Sequence, residues 1–209
     1  MDGVSREFAA TITSLSPDTG PQWLERLPAL ITECEQAWSI KAMTPFEPLS
    51  FNWVAPAVRA DGTEVILKLG VPHPELASEI EALLLYDGGG CVRLLEVDRG
   101  RGALLLERLK PGLSLLSVAD DDEATRIAAR VMRRVWHPAP PDHAFPAVHR
   151  WAKGLVRMRD HSGGTTGPLP TPLVEKAEGL FRELLDSMDR SMLLHGDSHH
   201  GNILSAERQ

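Results

Sequence analysis

The stretch SMLLHGDSHHGNIL, residues 191–204, holds the most informative pattern in the chain. Its apolar residues 192–194 predict a short strand, and residues 203–204 predict a second one. Between them lies a polar loop with five side chains that can do chemistry: His195, Asp197, His199, His200 and Asn202. A polar loop between two buried strands holds its side chains in fixed positions, as many catalytic loops do. We therefore expect this loop to carry the chemistry of the protein.

The spacing of Asp197 and Asn202, five residues apart, is typical of phosphotransferases. In such loops the aspartate accepts the proton of a hydroxyl group, and the asparagine amide oxygen binds a metal ion on the phosphates. The structural alternative is a loop aspartate that only stabilises a turn.

The segment TEVILKL, residues 63–69, predicts a strand with one buried face, because its apolar residues alternate with Glu64, Ile66 and Lys68. The Asp61-Gly62 pair before it predicts a hairpin turn. The next segment, residues 74–86, predicts a helix that carries Glu79. In kinases a lysine on a strand holds the phosphates, and a glutamate on the following helix holds that lysine. Taken singly, each could equally be a solvated surface charge.

The rest of the chain predicts two regions. A hairpin is expected from CVRLLEV and ALLLERL around residues 98–102, and everything from Pro111-Gly112 to about Ser191 is expected to be helical with loops. We therefore predict lobes at residues 1–110 and 111–209. An earlier helix is expected near residues 27–38 with Pro28 in its first turn, and the tryptophans are expected in the core.

Composition excludes several classes of protein. The 209 residues are 43% hydrophobic and 24% charged, as in globular domains, and the net charge is −7. That charge argues against nucleic-acid binding and suits a cationic small molecule. The two cysteines form no disulfide framework, and no membrane span or leader is evident. We therefore expect a cytoplasmic protein with no membrane or nucleic-acid partner.

Four segments resemble a known family, the aminoglycoside phosphotransferase and hydroxyurea kinase group of kinase-like enzymes, and most closely its streptomycin 6-kinase branch. They are LLHGDSHHGNIL (193–204), ADGTEVILKLG (60–70), SEIEALLLYDGGG (78–90) and ALLLERLKPG (103–112). The resemblance runs from about Trp23 to Leu204, and HGDxxxxN is its most specific part.

The resemblance implies an α+β, protein-kinase-like fold with a small antiparallel-sheet lobe and a mostly helical lobe that is incomplete at its C-terminus. It implies transfer of a phosphoryl group from ATP, with Mg²⁺, to an alcohol group of a cationic, streptomycin-like antibiotic. Asp197 would then be the catalytic base and Asn202 a magnesium ligand. Lys68 would bind the phosphates with Glu79 as its ion-pair partner. The backbone of Glu107 and Leu109 would bind adenine at the hinge.

The chain departs from the family pattern in two places. No G-x-G-x-x-G covers the nucleotide, and in PLSFNWVAPA (48–57) Ser50 and Asn52 would have to form the turn. No aspartate follows Asp197, although the family places a metal-binding aspartate after the catalytic loop. We therefore expect a C-terminally truncated member with weak or no activity.

Two alternatives stay open from the sequence. The first is a non-catalytic, kinase-like protein that binds nucleotide or antibiotic without turnover. The second is a zinc-dependent hydrolase, since His195, Asp197, His199 and His200 offer enough ligands for zinc, although their order matches no H-E-x-x-H signature.

Overall fold

The computed structural model of the protein describes residues 4–207, which form an α+β fold. The helices are α1 (Arg6–Leu15), α2 (Gly20–Trp38), α3 (Pro74–Tyr86), α4 (Asp121–Val135), α5 (Val148–His161) and α6 (Thr171–Asp186). The strands are β1 (Ile40–Ala42), β2 (Trp53–Arg59), β3 (Glu64–Leu69), β4 (Leu94–Asp98), β5 (Ala103–Glu107), β6 (Pro111–Ser114), β7 (His137–Pro138), β8 (Met192–Leu193) and β9 (Leu204–Ala206). Within this part of the chain no helix has both the length and the apolar composition that a bilayer span requires.

The chain divides into two compact units. One contains residues 4–136 and 194–207, and the other contains residues 137–193. The lobes predicted at residues 1–110 and 111–209 rest on the change in composition at Pro111-Gly112, and that assignment stays a prediction.

A five-stranded antiparallel sheet in the order β1-β2-β3-β5-β4 organises the first unit. The predicted alternation in β3 is confirmed, because Val65, Leu67 and Leu69 are fully buried while Lys68 keeps part of its surface exposed. The predicted turn is also present, with Gly62 in the left-handed region at φ 85°. The buried face of the sheet belongs to the same apolar cluster as residues of α1 and α2.

The N-terminal helices differ from the sequence expectation. Helix α1 precedes the first helix that the sequence predicted. The Ser5 hydroxyl accepts a hydrogen bond from the Phe8 N–H at its start, and the Phe8 ring packs edge-on against Trp23, with the ring centroids 6.4 Å apart. Helix α2 begins at Gly20, so Pro28 lies inside the helix and not in its first turn. A proline there removes one backbone hydrogen bond. Burial of the apolar stripe that includes Trp23 and Leu30 outweighs that loss.

Helix α3 matches its predicted bounds and is fixed at both ends. Its first turn is capped by His73, whose Nδ1 accepts from two backbone N–H groups. It ends at Asp87, which takes the left-handed conformation at φ 42°. Its buried residues Leu76 and Ile80 pack in one cluster with Leu104 and other residues of β4 and β5. This packing fixes which side of α3 faces the sheet.

The second unit contains the β7–β8 pair and the helices α5 and α6. A two-pronged ion pair joins the helices: Arg159 donates to Glu178 at 2.6 and 2.9 Å, and this holds the pKa of the glutamate below its usual range. The apolar stripe of α5 is largely exposed, and Trp151 on this stripe is 72% exposed. The prediction that every tryptophan is buried is therefore wrong for Trp151 and for Trp136, which is 48% exposed, although Trp23 and Trp53 are buried.

Candidate active site

Lys68 and Glu79 form an ion pair between β3 and α3. The lysine side chain is 17% exposed and the glutamate side chain 36% exposed, so both are only partly in contact with solvent. Lys68 is paired in the sheet with Val54 on one side and Leu104 on the other. The Lys68 side chain therefore extends from an apolar face of the sheet, and its ammonium group contacts the Glu79 carboxylate on α3.

Asp197 and Asn202 form the second pair. The Asn202 side-chain amide donates two hydrogen bonds of 2.9 Å, one to the backbone oxygen of Asp197 and one to its carboxylate Oδ2. The Asp197 side chain is 76% exposed. Because the amide nitrogen of Asn202 faces Asp197, the amide oxygen points away from that contact. Carboxylate and amide oxygens are the ligands that Mg²⁺ prefers, so this pair fits that ion.

The loop that carries this pair is anchored on both sides. The predicted flanking strands exist as β8 and β9, but they pair with β7 and β6 and not with each other. The expectation that both strands are buried is wrong for β9, whose three residues are exposed. After the loop, Ile203 is buried in a cluster with Leu115, Ala124 and Ala128, and its carbonyl accepts from the Leu115 N–H at 2.8 Å. The Ser114 hydroxyl donates to the His200 carbonyl at 3.0 Å. Thus β6 and α4 hold the end of the loop.

The loop histidines stabilise its turns. His195 Nδ1 accepts from the Asp197 N–H at 3.3 Å, and His199 Nδ1 accepts from the Gly201 N–H at 3.1 Å. His199 Nε2 lies 3.8 Å from Asp197 Oδ2. Across residues 4–207 no three histidine, cysteine, aspartate or glutamate side chains gather as metal ligands. The zinc alternative therefore has no ligand set in the described part of the chain.

The predicted hinge residues lie at the end of β5 and just beyond it. The Glu107 N–H donates to the Arg93 carbonyl at 3.0 Å, and its carboxylate accepts from the Arg93 N–H at 2.6 Å. Leu109 makes no hydrogen bond to another residue of the described chain.

Sequence analysis missed a contact next to this hinge. The Arg108 guanidinium lies over the Phe46 ring at 5.2 Å from its centroid. Phe46 belongs to the segment between β1 and β2, and its N–H donates to the Val54 carbonyl at 2.9 Å. No local sequence pattern predicts a contact between residues so far apart in the chain.

The structure thus brings four of the predicted site residues together as two pairs, both within the first compact unit. It places Glu107 and Leu109 at and just beyond the end of β5, which pairs with β3, the strand that carries Lys68. Their catalytic and binding roles stay predictions.

Comparison with known proteins gives the family. Residues 43–209 match the model of the aminoglycoside/hydroxyurea antibiotic resistance kinases. The chain is 31% identical to streptomycin 6-kinase of Streptomyces glaucescens, over 99% of the chain and 67% of that protein. It is also 31% identical to streptomycin 6-kinase of Streptomyces griseus, over 100% of the chain and 66% of that protein. The chain is 34% identical to hydroxyurea phosphotransferase of Kitasatospora aureofaciens, over 91% of the chain and 56% of that protein.

The chain therefore spans about two thirds of the length of the two streptomycin kinases and 56% of the hydroxyurea phosphotransferase. The family match covers the strand with Lys68, the helix with Glu79 and the loop with Asp197 and Asn202. On this evidence the chain belongs to the aminoglycoside/hydroxyurea antibiotic resistance kinase family.

Proposed function

We propose that the protein transfers the γ-phosphoryl group of ATP to an alcohol group of a small cationic antibiotic, of the streptomycin type. The observation that carries this proposal is the Lys68–Glu79 ion pair between a sheet strand and the following helix. A kinase needs this pair to hold the nucleotide phosphates.

Lys68 binds the phosphates of ATP and so fixes the reacting phosphorus. Glu79 is a positioning residue, because it acts through the lysine. Without this partner the ammonium group would be free to turn among several rotamers, and binding would have to order it.

Asp197 orients the acceptor and accepts its proton. The hydroxyl oxygen forms a bond to the γ-phosphorus, the bond from that phosphorus to the bridging oxygen breaks, and ADP leaves. The proton of the hydroxyl goes to the Asp197 carboxylate. The exposure of this carboxylate leaves room for an acceptor to approach it.

Asn202 has two tasks in this scheme. Its amide nitrogen holds Asp197 in place through the two 2.9 Å hydrogen bonds, and its amide oxygen would be a ligand for Mg²⁺. When bound, that ion offsets the negative charge of the phosphates.

The nucleotide base is assigned to the hinge. The carbonyl of Glu107 and the N–H of Leu109 hydrogen-bond adenine, and the lobes at residues 1–110 and 111–209 lie on either side of the nucleotide. The absence of a Leu109 hydrogen-bond partner in the described chain supports this assignment.

A streptomycin-like acceptor fits the charge of the chain and the names of two of the relatives. The net charge is −7, which favours a cationic substrate. The third relative is named for hydroxyurea, which is the second substrate to test. We place the reaction in the cytoplasm, with no nucleic-acid or membrane partner.

We expect weak turnover from residues 1–209. Asp197 is the carboxylate to which the Asn202 amide donates, and it is assigned to proton transfer. Magnesium sites on nucleotides normally use one or two carboxylates besides the phosphates. A second candidate function, binding of nucleotide or antibiotic without turnover, therefore stays in view.

Calorimetric titration of ATP, with and without Mg²⁺, followed by a multiple-turnover assay with streptomycin and with hydroxyurea tests the proposal. Saturable ATP binding that Mg²⁺ tightens, with ADP formed only when an acceptor is present, is the expected result. Binding without turnover would favour the non-catalytic function. The absence of nucleotide binding would overturn the proposal.

A further inference from the structure

The segment between β1 and β2, residues 43–52, lacks the glycines that usually let backbone N–H groups surround phosphates. One of its side chains is in a position to replace them. Asn52 directly precedes β2, whose first residue, Trp53, pairs with Leu69. Asn52 therefore lies beside Gly70, at the end of the strand that carries Lys68.

Asn52 lies on the same face of the sheet as Lys68. A Cβ atom added to Gly70 would overlap with Asn52 Oδ1 and would lie 3.5 Å from Leu76 Cδ2. Leu76 is on the buried side of α3, one helical turn before Glu79. The amide group of Asn52 thus stands on the α3 side of the sheet, where Lys68 meets Glu79.

Gly70 is needed here for space and not for backbone conformation. Its φ lies outside the left-handed region, so any residue could adopt its backbone. What excludes a side chain is the Asn52 amide, which fills the position of the absent Cβ. Because Gly70 has no side chain, the Asn52 amide can occupy this position.

The Asn52 amide has no hydrogen-bond partner among residues 4–207, although the residue is half-buried. A side-chain amide carries two N–H donors. Donors that stand on the same face as a lysine ammonium group and lack a protein acceptor suit an anionic ligand with several oxygens.

We propose that the Asn52 amide donates to a phosphate oxygen of the bound nucleotide, in place of the backbone N–H groups of a glycine-rich loop, and that Gly70 makes room for it. This inference rests on the proposed function. It adds a side-chain contact to the phosphate end of the nucleotide site.

Titration of ATP and of adenosine into the full chain and into Asn52→Ala tests the contact. Because a hydrogen bond to a charged group is lost, we expect ATP affinity to fall about 10-fold and adenosine affinity to stay within about 2-fold. Asn52→Asp, which places a negative charge beside the phosphates, should lose more ATP affinity still. Thr44→Ala, an exposed change in the same segment, is the matched control and should bind both ligands as the wild type does.

Gly70→Ala tests the same contact from the other side. Its methyl group must displace the Asn52 amide, so ATP affinity should fall about as much as in Asn52→Ala. In the Asn52→Ala background the same change should have little further effect, because the space is then empty. Independent, additive losses would overturn the proposed contact.

The outcomes separate this inference from the proposed function. If the wild type binds ATP and adenosine while Asn52→Ala weakens neither, or both equally, the phosphate contact is wrong and the nucleotide site stands. If the wild type binds neither ligand, the proposed function fails and this inference fails with it.

Discussion

The two pairs of site residues are held in place in different ways. Lys68 extends from a strand whose neighbouring side chains are fully buried, and Glu79 extends from a helix packed on the same sheet. Asp197 stands on a loop, 76% exposed, and two hydrogen bonds from Asn202 hold it. The first pair therefore depends on the core, and the second depends on local hydrogen bonds.

This difference matches two chemical tasks. A phosphate-binding cation is most effective when packing fixes it before the nucleotide arrives, since less is then lost in ordering it. A base that takes a proton from a variable small molecule must be reached from solvent. The predictions below test whether the two pairs can be disturbed separately, from the largest expected effect to the smallest.

Asp197→Ala should lower turnover by about 10²- to 10⁴-fold, which is the range for loss of a positioned base. ATP affinity should change less than about 2-fold, because the phosphates are held by the other pair. Steady-state kinetics and calorimetry measure the two quantities. Asp189→Ala, another exposed aspartate, is the control. Comparable turnover in Asp197→Ala would remove the base assignment.

Leu67→Ala should lower the free energy of unfolding by about 2–5 kcal/mol, because Leu67 is fully buried one residue before Lys68. Chemical denaturation measures this loss. Leu84→Ala, a change at a half-exposed leucine of α3, should stay within about 0.5 kcal/mol. Equal losses in the free energy of unfolding for the two variants would mean that the core does not support the Lys68–Glu79 pair.

Glu79→Gln should weaken ATP binding by about 10-fold, roughly the strength of one charge-assisted hydrogen bond. Adenosine binding should be unchanged, since the adenine contacts lie at the hinge. Glu81→Gln on the same helix breaks only an exposed ion pair with Arg99 and should alter neither affinity. If both variants bound ATP alike, Glu79 would have no positioning role.

His199→Ala should have the smallest effect: turnover within about 2-fold and unfolding within about 0.5 kcal/mol. Its ring accepts a hydrogen bond within the loop and stays 3.8 Å from Asp197. Steady-state kinetics and chemical denaturation measure the two quantities. A fall in turnover of more than about 10-fold would show that His199 takes part in the reaction.

Much of the fold follows from local patterns in the sequence. Alternation predicted the buried face of β3, and the Asp61-Gly62 pair predicted its hairpin. The bounds of α3 were also predicted correctly, at residues 74–86. The contact between Lys68 and Glu79 was expected from the resemblance to kinase-like enzymes, and the structure contains it.

Other features depended on contacts between distant parts of the chain. Helix α1 has only two buried residues, and its packing on Trp23 is not visible in its own sequence. Trp151 lies on the apolar stripe of the amphipathic helix α5, and this stripe remains exposed in the described structure. The strands that flank Asp197, β8 and β9, pair with β7 and β6 and not with each other.

The sequence by itself determined which side chains are the candidates for phosphoryl transfer and which face of β3 is buried. Only the tertiary structure decided what covers each face, which strands pair and where Asn52 meets Gly70. The physical reason is that periodicity records the geometry of one element, whereas burial and close approach depend on a second element that folding brings beside it.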